Sequence, residues 1–157
     1  MLIIFDLDDT LYDCHTTFPE GRDEAKINTI KPYPGVKEIL QRQDLIKILV
    51  TKGEESWQRR KLDILELTLL FNEIRICSTE QEKKQVFHTI LQKYSGEKII
   101  IVGDRIDTEI RYGNEFGFTT ILLRRGKYKQ LKAQGENEIP TYQITDFTQL
   151  RQVLRLL

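Results

Sequence analysis

The chain has 157 residues, of which 39% are hydrophobic and 31% charged, a composition typical of one globular domain that excludes a disordered chain. Its 24 basic and 24 acidic residues balance, which gives no support for nucleic-acid binding or for a polybasic contact with a membrane. No apolar run approaches the ~20 residues of a membrane span, and two cysteines without a CxxC partner fit a reducing cytoplasm better than a disulfide framework or a zinc site.

Short apolar runs rich in β-branched residues alternate with amphipathic stretches along the chain. The runs predict strands at Leu2–Phe5, Ile46–Val50, Ile74–Cys77, Lys98–Val102, Thr119–Leu123 and Tyr142–Ile144. Between them, apolar spacings of three and four predict helices, with starts after Gly35, near Trp57, after Thr79 and after Asp146. We therefore predict an α/β fold: a three-layer, doubly wound, Rossmann-like and mostly parallel sheet with helices on both faces.

Two stretches interrupt this alternation. Residues 13–33 form a long connection after the first strand, and we expect a short flap insertion there within a single domain over 1–157. Residues 124–140 begin with a basic cluster, which is either a solvated face or a guide for an anionic substrate.

Polar side chains follow each of the first four predicted strands. In a doubly wound sheet these strand ends meet at one edge, where ligands bind. The polar residues there are Asp6, Asp8 and Asp9, then Thr51 and Lys52, then Lys83 and Lys84, then Asp104, Asp107 and Glu109. Carboxylates that leave buried strands are costly to desolvate unless a cation balances them, and their hard oxygen atoms suit magnesium.

The chain resembles the aspartate-nucleophile phosphatases of the haloacid dehalogenase-like (HAD-like) superfamily, from residue 1 to about residue 150. Four motifs carry the resemblance, in order and each behind a strand or at the start of the next helix. They are Asp6-Leu7-Asp8-Asp9-Thr10-Leu11, Thr51-Lys52-Gly53, a lysine at Lys83 or Lys84, and Val102-Gly103-Asp104-Arg105-Ile106-Asp107-Thr108-Glu109-Ile110.

The resemblance implies roles for these residues. Asp6 would be the nucleophile and Asp8 the general acid/base. Phosphate would be bound by Thr51, Lys52 and the motif lysine, which is Lys83 or Lys84. Mg²⁺ would be held by Asp6, by Asp8 through its backbone carbonyl, and by Asp104.

Two positions depart from the pattern of the superfamily. Asp9 stands where glycine is common, and Glu109 stands where aspartate is common. A glutamate is longer, so Glu109 would act through a metal-bound water or from outside the ligand shell. Whether Asp107 or Glu109 contacts that shell stays open at this point.

The resemblance predicts a magnesium-dependent phosphoric monoester hydrolase that works through an aspartyl-phosphate on Asp6. The alternative is a phospho-accepting regulatory domain, or a catalytically weak phosphate-binding domain, of similar fold. In response-regulator receivers the accepting aspartate follows the third strand, whereas here Ser78-Thr79 follows it. The substrate would be a phosphorylated small molecule or macromolecule, and the oligomeric state stays open.

In this superfamily a cap domain often follows the first motif or lies between the second and third. Here 23 residues separate Thr10 from Pro34, and 29 separate Gly53 from Lys83. Segments below ~40 residues seldom fold alone. We therefore expect a nearly capless site, with at most a flap from 13–33 and with Phe18, Pro19 and Tyr33 along one wall.

Overall fold

The computed structural model describes all 157 residues, and a six-stranded parallel sheet forms its centre. The strand order across the sheet is β3-β2-β1-β4-β5-β6. The strands are β1 Leu2–Phe5, β2 Ile46–Lys52, β3 Glu73–Cys77, β4 Ile99–Gly103, β5 Thr119–Leu123 and β6 Tyr142–Ile144. The predicted doubly wound fold is confirmed, and every predicted strand is present within two residues of its expected ends.

Helices connect the strands and cover both faces of the sheet. The α-helices are α1 Cys14–Thr17, α2 Val36–Leu40, α3 Glu55–Ile64, α4 Glu80–Lys93, α5 Arg111–Glu115 and α6 Phe147–Leu156. Short 3₁₀ turns lie at Ile27–Thr29, Thr68–Leu70 and Glu136–Glu138, and a π-helical turn at Ile106–Ile110. None of the helices has the length and apolar character needed to cross a bilayer.

The central strand β1 is buried on both faces, which explains its uninterrupted apolar sequence. Ile3 and Phe5 pack into the larger core, under α2, α3 and α6. Leu2 and Ile4 pack into the smaller core on the opposite face, under α4 and α5. Burial on both sides holds the carboxyl end of β1 in place, and that end carries the first predicted motif.

The order of the strands reverses beside β1. The chain builds the sheet outward from β1 through β2 to β3, then returns to place β4 on the other side of β1. At this switch point the backbone N–H of Asp6 donates to the carbonyl of Val102 over 3.1 Å. The residues that follow β1 and β4 therefore lie side by side, in the crevice where doubly wound folds bind ligands.

The start of α4, predicted after Thr79, is set by the side chains of Thr79 and Glu82. The Thr79 hydroxyl accepts the backbone N–H of Glu82 over 3.1 Å. The Glu82 carboxylate reaches back to the backbone N–H of Ser78, one residue before the cap, over 2.7 Å. This arrangement fixes the rotation of the first helical turn, in which Lys83 is buried and Lys84 lies half-buried at the side.

The segment 13–33 lies against the larger core. Phe18 packs edge-on against Trp57 of α3, with the ring centroids 5.7 Å apart. Ile27 and Ile30 are buried in the same core. The apolar side chains of the segment are thus used to attach it to the domain.

Close packing of α5 on the sheet gives a first prediction. A Cβ at Gly113 would lie 2.6 Å from Cγ2 of Thr120 and 2.7 Å from Cγ2 of Ile101. We expect Gly113→Val to lower the free energy of unfolding by about 1–3 kcal/mol, because overpacking displaces the helix. Urea denaturation measures the change.

Gly135→Val is the matched control, since a Cβ at Gly135 has no atom within 4 Å. It should change the free energy of unfolding by less than about 0.5 kcal/mol. Equal stability of the two variants would contradict the described packing of α5.

Candidate active site

A cleft of about 210 Å³ opens at the carboxyl ends of β1, β2 and β4. Six carboxylates and three cationic side chains lie along it, so its walls carry a net negative charge. The lining residues are Asp6, Asp8, Asp9, Thr51, Lys52, Glu80, Lys83, Asp104, Arg105, Glu109 and Tyr128. All the polar residues predicted for this edge of the sheet except Lys84 and Asp107 therefore line the cleft, as the strand order requires.

Asp6 lies at the floor of the cleft, directly after β1, and is 7% exposed. Its Oδ1 accepts a hydrogen bond from Nζ of Lys83 over 2.7 Å. Burial raises the pKa of the Asp6 carboxyl to about 7; the Lys83 ammonium opposes this rise, and Glu109 and Asp8 add to it. Asp6 is thus a buried carboxylate whose charge depends on the cations placed beside it.

Lys83 is the lysine that reaches the cleft. It is 3% exposed, and its ammonium lies between Asp6 and Glu109 and pairs with both. Burial would lower the pKa of this lysine, but the two carboxylates raise it above its usual value. Lys84, the other predicted candidate, does not reach the site: its ammonium pairs with Glu115 and lies over the ring of Tyr112.

Glu109 owes its place to the π-helical turn after β4. The turn directs the Glu109 side chain inward, where Thr108 Oγ1 donates to Oε2 over 2.7 Å. A Cβ on Gly103 would lie 2.5 Å from Cγ of Glu109, so this approach needs glycine. Asp107 points elsewhere and pairs with Arg105 over 2.8 Å. Of the two acids left open by the sequence, Glu109 alone lines the cleft.

Asp104 faces the cleft from the end of β4 and is 4% exposed. Burial raises its pKa well above the usual value, and the charges of Asp6, Glu109 and Asp9 raise it further. Such crowding of hard oxygen atoms fits a divalent cation. No three acidic, histidine or cysteine side chains are grouped to ligate one ion, so the fit rests on the carboxylates of Asp6 and Asp104, which line the same cleft.

Asp8 is held by three side chains that the motif pattern does not include. Its Oδ1 accepts from Tyr12 Oη over 2.6 Å and from Lys61 Nζ over 2.7 Å, and its Oδ2 accepts from Gln58 Nε2 over 3.1 Å. Burial favours the neutral acid, but the Lys61 ammonium and these hydrogen bonds together hold the pKa of Asp8 below its usual value. We did not predict any of these three residues.

The end of β2 supplies Thr51 and Lys52. Thr51 is 1% exposed, and its Oγ1 accepts from Nε2 of Gln58 over 2.8 Å, which leaves the hydroxyl proton free to donate. Lys52 lies at the rim, where its ammonium pairs with Glu80 over 2.7 Å. Thr51 therefore lies deep in the cleft and Lys52 at its mouth.

The wall expected from Phe18, Pro19 and Tyr33 is not present. Phe18 packs under Trp57, Pro19 is exposed away from the cleft, and Tyr33 lies beneath the guanidinium of Arg125 at 4.3 Å. Hydrophobic attachment to the core directs the segment away from the site. No residue of 13–33 lines the cleft.

The outer wall is formed by Arg105 and Tyr128 instead. The guanidinium carbon of Arg105 lies 4.6 Å from the ring centroid of Tyr128, and Arg105 also pairs with Glu80 over 3.1 Å. Tyr128 belongs to the basic stretch 124–132. Three basic residues of that stretch, Arg124, Lys129 and Lys132, line a separate depression. The stretch therefore contributes one aromatic side chain to the lining of the cleft and no cationic one.

Asp9 ties two loops to the motif that contains the predicted nucleophile. Its backbone is left-handed, with φ of 57°. Its Oδ1 accepts the backbone N–H groups of Cys14 and His15, and its Oδ2 accepts that of Lys127 over 3.2 Å. A Cβ on Gly126 would lie 2.2 Å from Cγ of Asp9, so the second loop approaches closely only because of this glycine.

The curated proteins that this sequence resembles carry one name, and a family model matches part of the chain. A family model described as HAD-hydrolase-like matches residues 82–150. A glyceraldehyde 3-phosphate phosphatase of Methanopyrus kandleri is 30% identical over 142 residues, which make up 85% of this chain and 61% of that protein. A protein of the same name from Pyrococcus furiosus is 29% identical and is covered to 57%. The chain thus spans about three fifths of the length of the curated relatives that it matches.

Solved structures share the fold. The magnesium-bound HAD-hydrolase YfnB of Bacillus subtilis superposes with a TM-score of 0.74 at 16% identity, over 98% of this chain and 97% of that one. The haloacid dehalogenase-like protein SP0104 of Streptococcus pneumoniae gives 0.73 at 20% identity, with the same coverage. The chain is therefore similar to HAD-like hydrolases in sequence, through the family model over residues 82–150 and the relatives named above, and it shares their fold over nearly its whole length.

Proposed function

We propose that the chain is a magnesium-dependent phosphatase that hydrolyses a phosphate monoester through an aspartyl-phosphate on Asp6. One observation carries the proposal: the buried Asp6 carboxylate and the Lys83 ammonium lie 2.7 Å apart at the switch point of the sheet. Asp8, Thr51 and Asp104 line the same cleft. An anionic nucleophile needs a cation such as the Lys83 ammonium beside it, because it must approach a phosphate that is itself negatively charged.

The reaction has two steps. An Asp6 oxygen attacks phosphorus, the bond from phosphorus to the leaving oxygen breaks, and Asp8 gives that oxygen a proton. Because the neighbours of Asp8 hold its pKa below the usual value, Asp8 enters this step in its minor, protonated form. A water molecule then attacks the phospho-aspartate, Asp8 takes the proton of the water, and Asp6 and inorganic phosphate are released. Thr51 and neighbouring backbone N–H groups donate to the phosphate oxygens in both steps, while Lys83 neutralises charge on Asp6 and on the phosphoryl group.

Mg²⁺ would be held by the carboxylates of Asp6 and Asp104 and by the backbone carbonyl of Asp8. When bound, it would neutralise charge on the nucleophile and on the phosphoryl oxygens. The net negative charge of the cleft supports this assignment, since three cationic side chains face six carboxylates there. The same acidic lining would otherwise repel a phosphate dianion.

The position of the predicted nucleophile favours an enzyme over a receiver-like regulatory domain. Asp6 follows β1, the central strand, while β3 is followed by Ser78 and Thr79. A receiver would need its accepting aspartate after β3. A catalytically weak binding domain is disfavoured because the cleft keeps the nucleophile, the acid/base, the lysine and Asp104 together.

The substrate is proposed to be a phosphorylated small molecule or a phosphate group on a macromolecule. The curated relatives are named for glyceraldehyde 3-phosphate, which supports the small-molecule class. The cleft of this chain lacks any wall from 13–33, and that supports entry of larger leaving groups. Both classes share the chemistry of the phosphate monoester.

The nucleophile is tested by Asp6→Asn, whose amide has the shape of the carboxyl but cannot attack phosphorus. We expect phosphate release to fall by at least about 10³-fold, as when other catalytic nucleophiles are removed. Asp63→Asn, at the exposed end of α3, is the control and should keep full activity. Circular dichroism checks that both variants fold, and turnover of Asp6→Asn within tenfold of the wild type would falsify the mechanism.

The metal is tested by Asp104→Ala, measured by calorimetric titration with Mg²⁺ and by phosphate release. Loss of this carboxylate should weaken Mg²⁺ binding at least about tenfold, with activity partly restored at high Mg²⁺. Asp44→Ala is the matched control, because Asp44 is exposed just before the amino end of β2, pairs with Arg42 and does not line the cleft. Full activity of the wild type in excess chelator would refute the metal assignment.

Access to the cleft is tested by comparing substrates of different size. An open site excludes water poorly, so small substrates lose the benefit of closure. We expect kcat/KM for p-nitrophenyl phosphate, nucleotides or a phosphopeptide to equal or exceed the value for glyceraldehyde 3-phosphate and phosphoglycolate. A profile confined to two- and three-carbon phosphates, in a protein that sedimentation shows to be monomeric, would rule out the open cleft.

A further inference from the structure

Helix α3 buries one lysine although its other charged residues are exposed. Glu55 and Arg59 face solvent, whereas Lys61 is 3% exposed with its Nζ 2.7 Å from Asp8 Oδ1. Burying the Lys61 ammonium removes a full charge from water, while its partner Asp8 keeps a third of its side chain exposed, and an apolar residue in place of a buried ion is often as stabilising. Stability of the fold therefore does not account for a lysine at this position.

Two further donors fix the same carboxylate. Tyr12 Oη lies 2.6 Å from Asp8 Oδ1, and Gln58 Nε2 lies 3.1 Å from Asp8 Oδ2. Gln58 and Lys61 are three residues apart on α3 and so lie on one face of the helix. Both oxygens of Asp8 are thereby held from the side of α3, and the rotation of the carboxyl is restricted.

Gln58 also connects Asp8 to the end of β2. The same Nε2 lies 2.8 Å from Thr51 Oγ1 and 3.1 Å from the carbonyl oxygen of Lys52. A Cβ on Gly53 would lie 2.9 Å from the Gln58 side chain, so glycine leaves room for the amide. One side chain thus sets the distance between the proposed acid/base and the proposed phosphate-binding hydroxyl.

We propose that Lys61, with Gln58 and Tyr12, is a positioning residue that holds the Asp8 carboxyl in the orientation needed for proton exchange with the leaving group and with water. The inference rests on the proposed phosphatase function. Lys61 does not line the cleft, so it acts through Asp8 and contacts no substrate atom. Its loss should affect the proton-transfer role of Asp8 and leave phosphate binding intact.

The test is Lys61→Met, which keeps the length of the side chain and removes its charge. With glycerol phosphate, whose leaving group needs a proton, kcat should fall at least about tenfold, as part of the 10²–10⁴-fold attributed to general acid/base catalysis. The fall should be smaller with p-nitrophenyl phosphate. KM and inhibition by inorganic phosphate should stay within about threefold, since Thr51 and Lys83 remain.

A double-mutant cycle separates positioning from a structural role. In an Asp8→Asn background, Lys61→Met should change kcat by less than about twofold, because a residue that acts through Asp8 has nothing left to position. Lys47→Met is the matched control: Lys47 is 5% exposed, and its Nζ donates to the carbonyl of Arg42 at the opposite end of β2. That variant should keep the wild-type kcat on both substrates.

The outcomes distinguish the inference from the function on which it rests. A wild-type protein that releases no phosphate with Mg²⁺ present overturns both. An active wild type with an impaired Asp8→Asn variant, but with Lys61→Met losses that multiply in the double mutant, overturns the positioning role alone. So does a crystal structure of folded Lys61→Met in which the Asp8 carboxyl keeps its orientation while kcat is unchanged.

Discussion

The site depends on how negative charge is balanced where β1 and β4 end. Six carboxylates line one cleft, and five of them follow β1 or β4, the strands that are buried on both faces of the sheet. The single ammonium of Lys83 pairs with two of these carboxylates, Asp6 and Glu109, and balances part of their negative charge. The capped start of α4 directs this lysine inward, and the π-helical turn after β4 brings Glu109 to meet it. The capping contacts of α4 and the π-helical turn thus together bring these buried charges into contact.

The strand ends could be predicted from the sequence because two simple patterns agree there. Uninterrupted apolar runs predict strands that are buried on both faces. An acidic residue directly after such a run is costly to desolvate unless a cation balances it, so it indicates a ligand site. Asp6, Asp8 and Asp104 are predicted in this way and Thr51 as the hydroxyl residue at the end of β2, and the structure brings the four together. The choice between Lys83 and Lys84 needed the rotation of α4, which depends on the contacts of Thr79 and Glu82 rather than on composition.

Other parts of the site could not be predicted, for identifiable reasons. A lysine or glutamine in a richly charged helix is normally solvated, so the periodicity of α3 gives no sign that Gln58 and Lys61 turn inward. The π-helical turn shifts Glu109 relative to an α-helix, a displacement that residue spacing cannot reveal. Phe18 was expected beside the cleft, but the aromatic surface of Trp57 offers it a better apolar contact. Each difference arises from a tertiary contact between residues far apart in the chain.

The attachment of Asp9 has a consequence for motion. Its two carboxylate oxygens hold separate loops, one at the start of α1 and one at Lys127, while its left-handed backbone forms part of the turn after β1. Fraying of either loop breaks hydrogen bonds to the same side chain and weakens the restraint on the other. The start of α1 and the loop at Lys127, which are distant in sequence, are therefore coupled through one side chain, and loss of its hydrogen bonds exposes the amide hydrogens of Cys14, His15 and Lys127 to exchange with solvent.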